Sequence, residues 1–319
     1  MDSVTALERI SAYVRETPLQ FSNSLGKATR ARVFLKLENR QDTGAFKLRG
    51  AASKLLSLQR EAAALGVVTA STGNHALAVA TMGRKLGIPV EIFVSEQIHP
   101  YKLAKIEALQ ARVNVVAGDA LFAEQEARRE ADRSGRPYVS PYNDPDVIAG
   151  QGTVAVEILR QIGEQSAGPL DAIFVAVGGG GLIGGIGAHL KQASPQTEVV
   201  GCWPENSPAL FECLRAGAII DVPEQPTWST STAGGVEPGA ITFELCQRVI
   251  DRQQLVTEAE ILDAARRLHR EDGELVEGAA AVPVAAFLKS AGDYAGKSVA
   301  LLICGGNVEP EFAAKVTED

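Results

Sequence analysis

Residues 172–185 read AIFVAVGGGGLIGG. Six apolar residues, most of them β-branched or aromatic, run straight into four consecutive glycines. A stretch at helical spacing, Leu182–Gln192, follows at once. An unbroken apolar run of this kind suits a strand buried on both faces. A strand that passes through a tight turn into a helix is the repeating unit of a parallel α/β sheet, and such sheets bind ligands at the carboxyl ends of their strands. Each glycine loses conformational entropy on folding, so four in a row call for a role. The expected role is a cradle of backbone N–H groups for a phosphate at a helix N-terminus. The spacing matches neither a P-loop, since no GK[ST] follows, nor the dinucleotide fingerprint.

The same alternation extends in both directions. Short apolar runs occur at Arg32–Leu37, Gly66–Ala70, Val90–Val94, Arg112–Val116, Glu198–Cys202 and Ser298–Ile303. Helical patterns lie between them at Phe46–Arg60, Asn74–Leu86, Tyr101–Leu109, Leu121–Ser134, Gly152–Gly163, Glu258–Glu271 and Ala279–Ser290. The fold class expected is therefore α/β, with parallel sheets covered on both faces. No Pro/Gly/Ser-rich linker divides the chain, which suits a domain inserted into another better than two domains in tandem.

Bulk properties narrow the function. A chain of 319 residues with 45% hydrophobic and 22% charged residues has the balance of a folded globular protein. A net charge of −8 argues against nucleic acid or an anionic membrane as partner. The four cysteines form no CxxC pair, and with four histidines they give no zinc-ligand spacing. A reduced, cytoplasmic protein is the expectation. The acidic, polar opening MDSVTALERI is not a signal peptide, and the uncharged run Ala172–Leu190 contains seven glycines, which speaks against a membrane span.

Three further motifs carry chemistry. In Thr43–Gly50 (TGAFKLRG), Lys47 follows Phe46 in the opening turn of a helix, between Gly44 and Gly50. The helix N-terminus and Arg49 favour a neutral amine there, and a lysine of lowered pKa forms Schiff bases. Thr69–His75 (TASTGNH) follows a strand and opens a helix, which presents free N–H groups to a carboxylate. A plain helix cap needs only one of these polar residues. Ile303–Asn307 (ICGGN) ends another apolar strand, where Cys304 alone reads equally well as a small buried hydrophobe.

Together these motifs resemble the fold type II pyridoxal-phosphate enzymes, in the branch of threonine/serine dehydratases and serine racemases. The likeness runs from Thr17-Pro18-Leu19 through SPYNDPDVIAGQGT (140–153) and AGGVEPGAITFELC (233–246) to CGGNV (304–308). It implies a homodimer with a tryptophan-synthase-β-like fold. Residues 1–65 and 143–319 would form the larger, cofactor-binding domain and 66–142 the smaller, inserted one. By motif position Lys47 would carry pyridoxal 5'-phosphate as a Schiff base beside Phe46. Asn74 would bond the cofactor's phenolic oxygen. Gly178, Gly179, Gly180, Gly181 and Leu182 would hold its phosphate, and Cys304 would face its ring nitrogen. Ser71, Thr72, Gly73 and His75 would surround the carboxylate of a small amino-acid substrate. Metal-dependent relatives carry acids where Trp203, Pro208 and Ala209 stand, so no metal is expected there.

The chemistry implied is β-elimination from a hydroxy amino acid such as L-threonine or L-serine, giving a 2-oxo acid and ammonia, with Lys47 as the base. Three alternatives stay open. The first is an amino-acid racemase, with Thr72 serving the second face. The second is a dehydratase of an unusual hydroxy amino acid, as in hydroxyectoine breakdown, suggested by the altered stretch Pro226–Thr232. The third is an amino-acid-binding relative without activity, which retention of Lys47, Asn74 and the glycine run opposes.

Overall fold

The computed structural model describes residues 2–318 apart from Gln97, His99, Asp119, Ser166 and Ala167, with Tyr101 and Ala120 described by their backbone only. Nine strands form two sheets among the described residues. The larger sheet contains β1 (Leu19–Phe21), β2 (Arg32–Leu37), β6 (Ala172–Ala176), β7 (Glu198–Pro204), β8 (Arg252–Val256) and β9 (Ser298–Ile303). Its spatial order is β1-β2-β9-β6-β7-β8. The smaller sheet is β3 (Val67–Ala70), β4 (Val90–Ser95) and β5 (Arg112–Val116), in that order. Every pairing is parallel except β1 with β2, which is antiparallel.

The apolar runs explain the central strands. Every residue of β6 and β9 is buried, as helices on both faces require. The edges differ. β1 has only three residues and β8 (RQQLV) is largely polar, so neither carries the apolar signature of a strand. Both are strands because a neighbour's backbone offers them hydrogen bonds.

One helix departs from the sequence expectation. The pattern placed its start at Gly152, whereas it runs over Pro145–Glu164, with Pro145 in its first turn and Asp144 capping the N–H groups of Asp146 and Val147. Gly150 and Gly152 are not breaks but points of close approach. A Cβ on Gly150 would lie 2.5 Å from the Arg49 carbonyl oxygen, and one on Gly152 would lie 2.7 Å from that of Gly185. The helices Lys47–Ser57 and Gly181–Ala193 are thereby drawn against this one. At the other end of the chain, the helix expected over Glu258–Glu271 stops at Arg267 and finishes in a π-turn, Leu268–Asp272.

Beneath the Lys47 helix lies a closed set of four buried charges. The Arg49 guanidinium donates to both oxygens of Glu38 at 2.8 Å and to both oxygens of Glu157 at 2.6 and 2.8 Å. Lys36 Nζ donates to Glu157 Oε2 at 2.6 Å and to the Thr17 carbonyl oxygen at 2.8 Å. Both cations and Glu38 are wholly buried and Glu157 nearly so. Two positive and two negative groups balance, which is the condition for tolerating charge in a low-dielectric interior. Burial alone would lower the pKa of Arg49, but the two carboxylates outweigh it and raise it. The set ties the end of β2, the Lys47 helix and the Pro145 helix into one block.

Candidate active site

Lys47 opens its helix, preceded by Gly44 in the left-handed region at φ +76°. The backbone before it is stitched to the end of β9: Phe46 N–H donates to the Cys304 carbonyl at 3.0 Å and Gly306 N–H donates to that of Gly44 at 2.8 Å. Its amine donates to the Pro141 carbonyl oxygen at 2.8 Å and lies 5.2 Å from the centre of the Phe46 ring. Some of the side chain remains open, but protein packs around the amine. That burial lowers its pKa to about 8, against the pull of Cys304 and Glu277 in the other direction.

The glycine run forms the turn after β6 and opens the helix Gly181–Ala193, with Gly180 as its cap at φ +85°. All four glycines are crowded. A Cβ on Gly179 would lie 2.5 Å from the Tyr142 ring, one on Gly181 2.9 Å from Tyr142 Cα, one on Gly178 2.9 Å from the Thr232 carbonyl oxygen, and one on Gly180 2.8 Å from Cys246 Sγ. Packing alone therefore calls for glycine at all four positions, whether or not a phosphate is held there. The N–H groups of the helix's first turn have no intrahelical acceptor. Leu182 follows in that turn, buried. Pro141 and Tyr142 connect this turn to Lys47, since Pro141 takes the amine and Tyr142 covers Gly179 and Gly181. In turn the Tyr142 hydroxyl accepts from Glu237 N–H at 2.9 Å, and Glu237 pairs with Arg128.

Asn74 heads the helix Asn74–Leu86. Its Nδ2 donates to the Glu277 carboxylate at 3.0 and 3.1 Å, and its Oδ1 accepts from Asn307 Nδ2 at 2.8 Å. Glu277 is buried at the start of the helix Gly278–Lys289, and burial raises its pKa despite hydrogen bonds from Asn74 and Ser231. Burial, with Glu277 nearby, also holds the Cys304 thiol well above the usual range, so it is neutral.

Thr72, Gly73 and Asn74 line a pocket with Glu277 and Asn307. Ser71 stands just before it and accepts from Gly73 N–H at 3.2 Å. His75 behaves differently from its neighbours. Its ring is buried with Nε2 at 3.0 Å from the Val139 carbonyl oxygen, and burial together with Lys47 lowers its pKa to about 3. The ring is neutral and engaged by Val139, and His75 is not among the residues that line the pocket.

Sequence reading missed Tyr142, Glu277 and Asn307. Asn307 stood inside a motif already singled out, where only Cys304 drew attention. A carboxylate just ahead of the apolar run GAAAVPVAAF was the available signal for Glu277. Tyr142 lay inside the stretch 140–153 on which the resemblance rests, but nothing local distinguished it, and its role comes from the fold. Trp203, one of the positions the resemblance pointed to for a metal, is buried with its ring 5.7 Å from that of Phe211. Among the described residues no group of three or more His, Cys, Asp and Glu side chains is arranged to hold a metal ion, and no helix is long and apolar enough to cross a membrane.

Comparison with known proteins bears on this arrangement. A family model described as pyridoxal-phosphate dependent enzyme matches residues 10–305. An L-threonine ammonia-lyase of Thermotoga maritima is 38% identical over 315 residues, which cover 99% of this chain and 77% of that protein. The processed form of threonine deaminase isoform 2 from Solanum lycopersicum superposes with a TM-score of 0.91 at 30% identity, covering 99% of this chain and 92% of that one. Maize serine racemase superposes with a TM-score of 0.90 at 29% identity, covering 97% and 93%.

Proposed function

The chain belongs to the pyridoxal-phosphate-dependent enzymes, and from that premise we propose that it eliminates the β-hydroxyl of an amino acid such as L-threonine or L-serine, giving a 2-oxo acid and ammonia. The observation that carries this reading is the amine of Lys47, held near neutrality between Pro141 and the turn that Tyr142 covers. The residues present fit the cofactor: a buried amine of lowered pKa for an aldehyde, and a crowded glycine turn at a helix N-terminus for a phosphate. When bound, pyridoxal phosphate supplies the electron-withdrawing ring that makes the substrate's α-proton removable.

The chain's own residues are proposed to do the rest. Lys47 Nζ would hold the cofactor and, as a free amine, would take the substrate's α-proton. Asn74 is oriented from both ends, by Glu277 and by Asn307. Its Nδ2 carries a second hydrogen for the cofactor's ring oxygen. The neutral Cys304 thiol would offer a ring nitrogen held beside it no charge with which to keep a proton, so the bound cofactor would withdraw electrons less strongly than one facing a carboxylate. The N–H groups that open the Asn74 helix, with Ser71, Thr72 and Gly73, are proposed to hold the substrate carboxylate. Ammonia release from L-serine and L-threonine, with the pyridoxyl group found on the Lys47 peptide after borohydride reduction, tests the assignment. Turnover with the label on another lysine would overturn it.

Gly179→Asp should weaken cofactor binding by about 100-fold or more, through displacement of Tyr142 and repulsion of the phosphate. Gly179→Ala moves Tyr142 without adding charge and should lose much less. Fluorescence titration of the two apoproteins checks this; equal losses would leave the anion site unsupported.

A racemase remains the second reading, because Thr72 lies in the pocket and serine racemase shares the fold. A threonine hydroxyl is a poor base without a basic neighbour, and His75 is neutral and turned to Val139. Thr72→Ala should therefore keep oxo-acid formation within about tenfold of the parent. Loss of D-enantiomer formation alone, with elimination spared, would favour the racemase.

We also propose that residues 66–142, which contain β3, β4 and β5, form the smaller body inserted between 1–65 and 143–319, that the active form is a cytoplasmic homodimer, and that no metal acts where the Trp203 indole sits.

A further inference from the structure

Of the charged groups that line the pocket, Lys102 and Glu309 satisfy each other, with Nζ donating to Oε1 at 2.6 Å. Glu277 is committed instead to Asn74, and through it to a relay of hydrogen bonds whose direction is set away from Asn74. At one end stands a group that can only accept, the Thr43 carbonyl oxygen. Asn307 Nδ2 donates to it at 2.9 Å and, with its second hydrogen, to Asn74 Oδ1 at 2.8 Å. An Asn307 amide turned the other way would set its oxygen against both of these acceptors. At the far end Asn74 Nδ2 meets the two Glu277 oxygens at 3.0 and 3.1 Å, and the Ser231 hydroxyl donates to the same carboxyl group. A protonated Glu277 would still offer its carbonyl oxygen to Asn74, so the direction holds in either charge state. Glycine makes room at both ends. A Cβ on Gly44, at φ +76°, would lie 3.0 Å from Asn307 Nδ2, and one on Gly305 would lie 2.6 Å from Glu277 Oε1.

We propose that the relay from Thr43 through Asn307 and Asn74 to Glu277 fixes Asn74 as a donor to the cofactor, with Asn307 a positioning residue that acts through Asn74. The inference rests on the reading that Asn74 faces the cofactor's ring oxygen, and not on the reaction that follows. A donor favours the ionised oxygen, on which the long-wavelength band of the lysine-bound cofactor depends, whereas an acceptor calls for a proton there and a band at shorter wavelength. Absorbance of the loaded protein, and fluorescence titration of the apoprotein with cofactor, test this without turnover. Asn307→Asp combined with Glu277→Gln reverses both ends: the carboxylate at 307 accepts, the amide at 277 donates, and Asn74 turns over between them. The double variant should lose the long-wavelength band and bind cofactor about 10- to 100-fold more weakly. Glu277→Gln alone leaves Asn307 donating, and Asn307→Leu alone leaves Glu277 accepting, so each should keep the band and most of the affinity. A double variant with the parent's band overturns the relay. So does a Glu277→Gln variant that loses the band as fully as the double one, since charge rather than direction would then decide. Should the double variant not fold, Asn74→Asp with Glu277→Gln gives the donors at 307 and 277 an acceptor between them. It should lose the band too, and persistence would overturn the proposal. Asn74→Ala locates a failure. If it changes neither band nor affinity, Asn74 does not face the cofactor and the relay falls with that placement. If it changes both while the double variant changes neither, the relay alone is rejected. A parent protein that releases no ammonia yet shows the expected bands loses the elimination reading and keeps the relay.

Discussion

Replacing Lys47 with alanine should cut ammonia release about a thousandfold or more, because the change removes the proposed point of cofactor attachment and the proposed base together. The loss should not come from unfolding. Among the described residues the Lys47 amine makes one hydrogen bond, to Pro141, and no ion pair. Its pKa falls from 10.5 to about 8 on folding, so the folded state binds this proton more weakly than the unfolded chain does. A lysine of this kind costs stability at neutral pH, and the cost fades as pH rises through 8 toward 10.5. Lys47→Ala should therefore have a urea midpoint equal to or above that of the parent at pH 7. The same shift sets a kinetic signature in the parent protein. Attachment of the cofactor needs the neutral amine, so the loading rate of the apoprotein should rise about tenfold per pH unit below 8 and then level off. A rate that keeps climbing toward pH 10 would mean an ordinary lysine. Retention of the lysine-bound cofactor's absorbance by the alanine variant would place the attachment elsewhere.

Arg49→Met is expected to have the largest effect on stability, about 3–5 kcal/mol. The guanidinium serves Glu38 and Glu157 together, and without it two carboxylates share the single cation Lys36 in a dry interior. In the intact protein burial raises the pKa of Glu38, but Arg49 and the other partners outweigh it and leave it below its ordinary value. Its contribution is therefore present above the unfolded pKa and lost as acid protonates it. In the variant, burial is opposed only by Lys36 and the Thr17 hydroxyl, and it lifts Glu38. The sign reverses: the deficit should be smaller at pH 5 than at pH 8. A second change, Glu38→Gln, should recover part of the loss at pH 8. Chemical denaturation at the two pH values checks this. A deficit independent of pH, with no recovery in the double variant, would mean that lost packing rather than unpaired charge is responsible.

The parallel strands were legible in the sequence because their environment is uniform. β6 and β9 are covered on both faces, and every residue of the two strands but Ser298 is apolar. The Asn74–Leu86 helix was legible for a different reason, since Gly73 and Gly87 bracket a clear periodic pattern. Edge strands β1 and β8 were not, because solvent on one side releases the apolar requirement. The early part of the Pro145 helix was misread, since Gly150 and Gly152 look like breaks until the Arg49 carbonyl and Gly185 occupy the space beside them. At the site, Lys47, Asn74 and the glycine run stood out through local motifs. Glu277, Lys102 and Glu309 did not, and Tyr142 went unremarked inside the stretch 140–153. Each is an ordinary residue whose significance comes from a partner far along the chain, as with Asn74 and Glu277 or Lys102 and Glu309.

The position of β9 has a consequence for how the molecule is made. It pairs with β2 along Arg32–Leu37 and with β6 at Ala172–Phe174, so the last strand in sequence sits between two much earlier ones. Until residues 298–303 are available, the larger sheet is two separate fragments, each exposing an unpaired edge. Pairings of such long sequence separation incur the loop-closure entropy before any contact repays it, and they fold slowly. The Lys47 turn is stitched to Cys304 and Gly306, so catalytic competence arrives only with this final insertion. During synthesis the chain must wait, partly ordered and vulnerable to edge-to-edge association, for its own last strand.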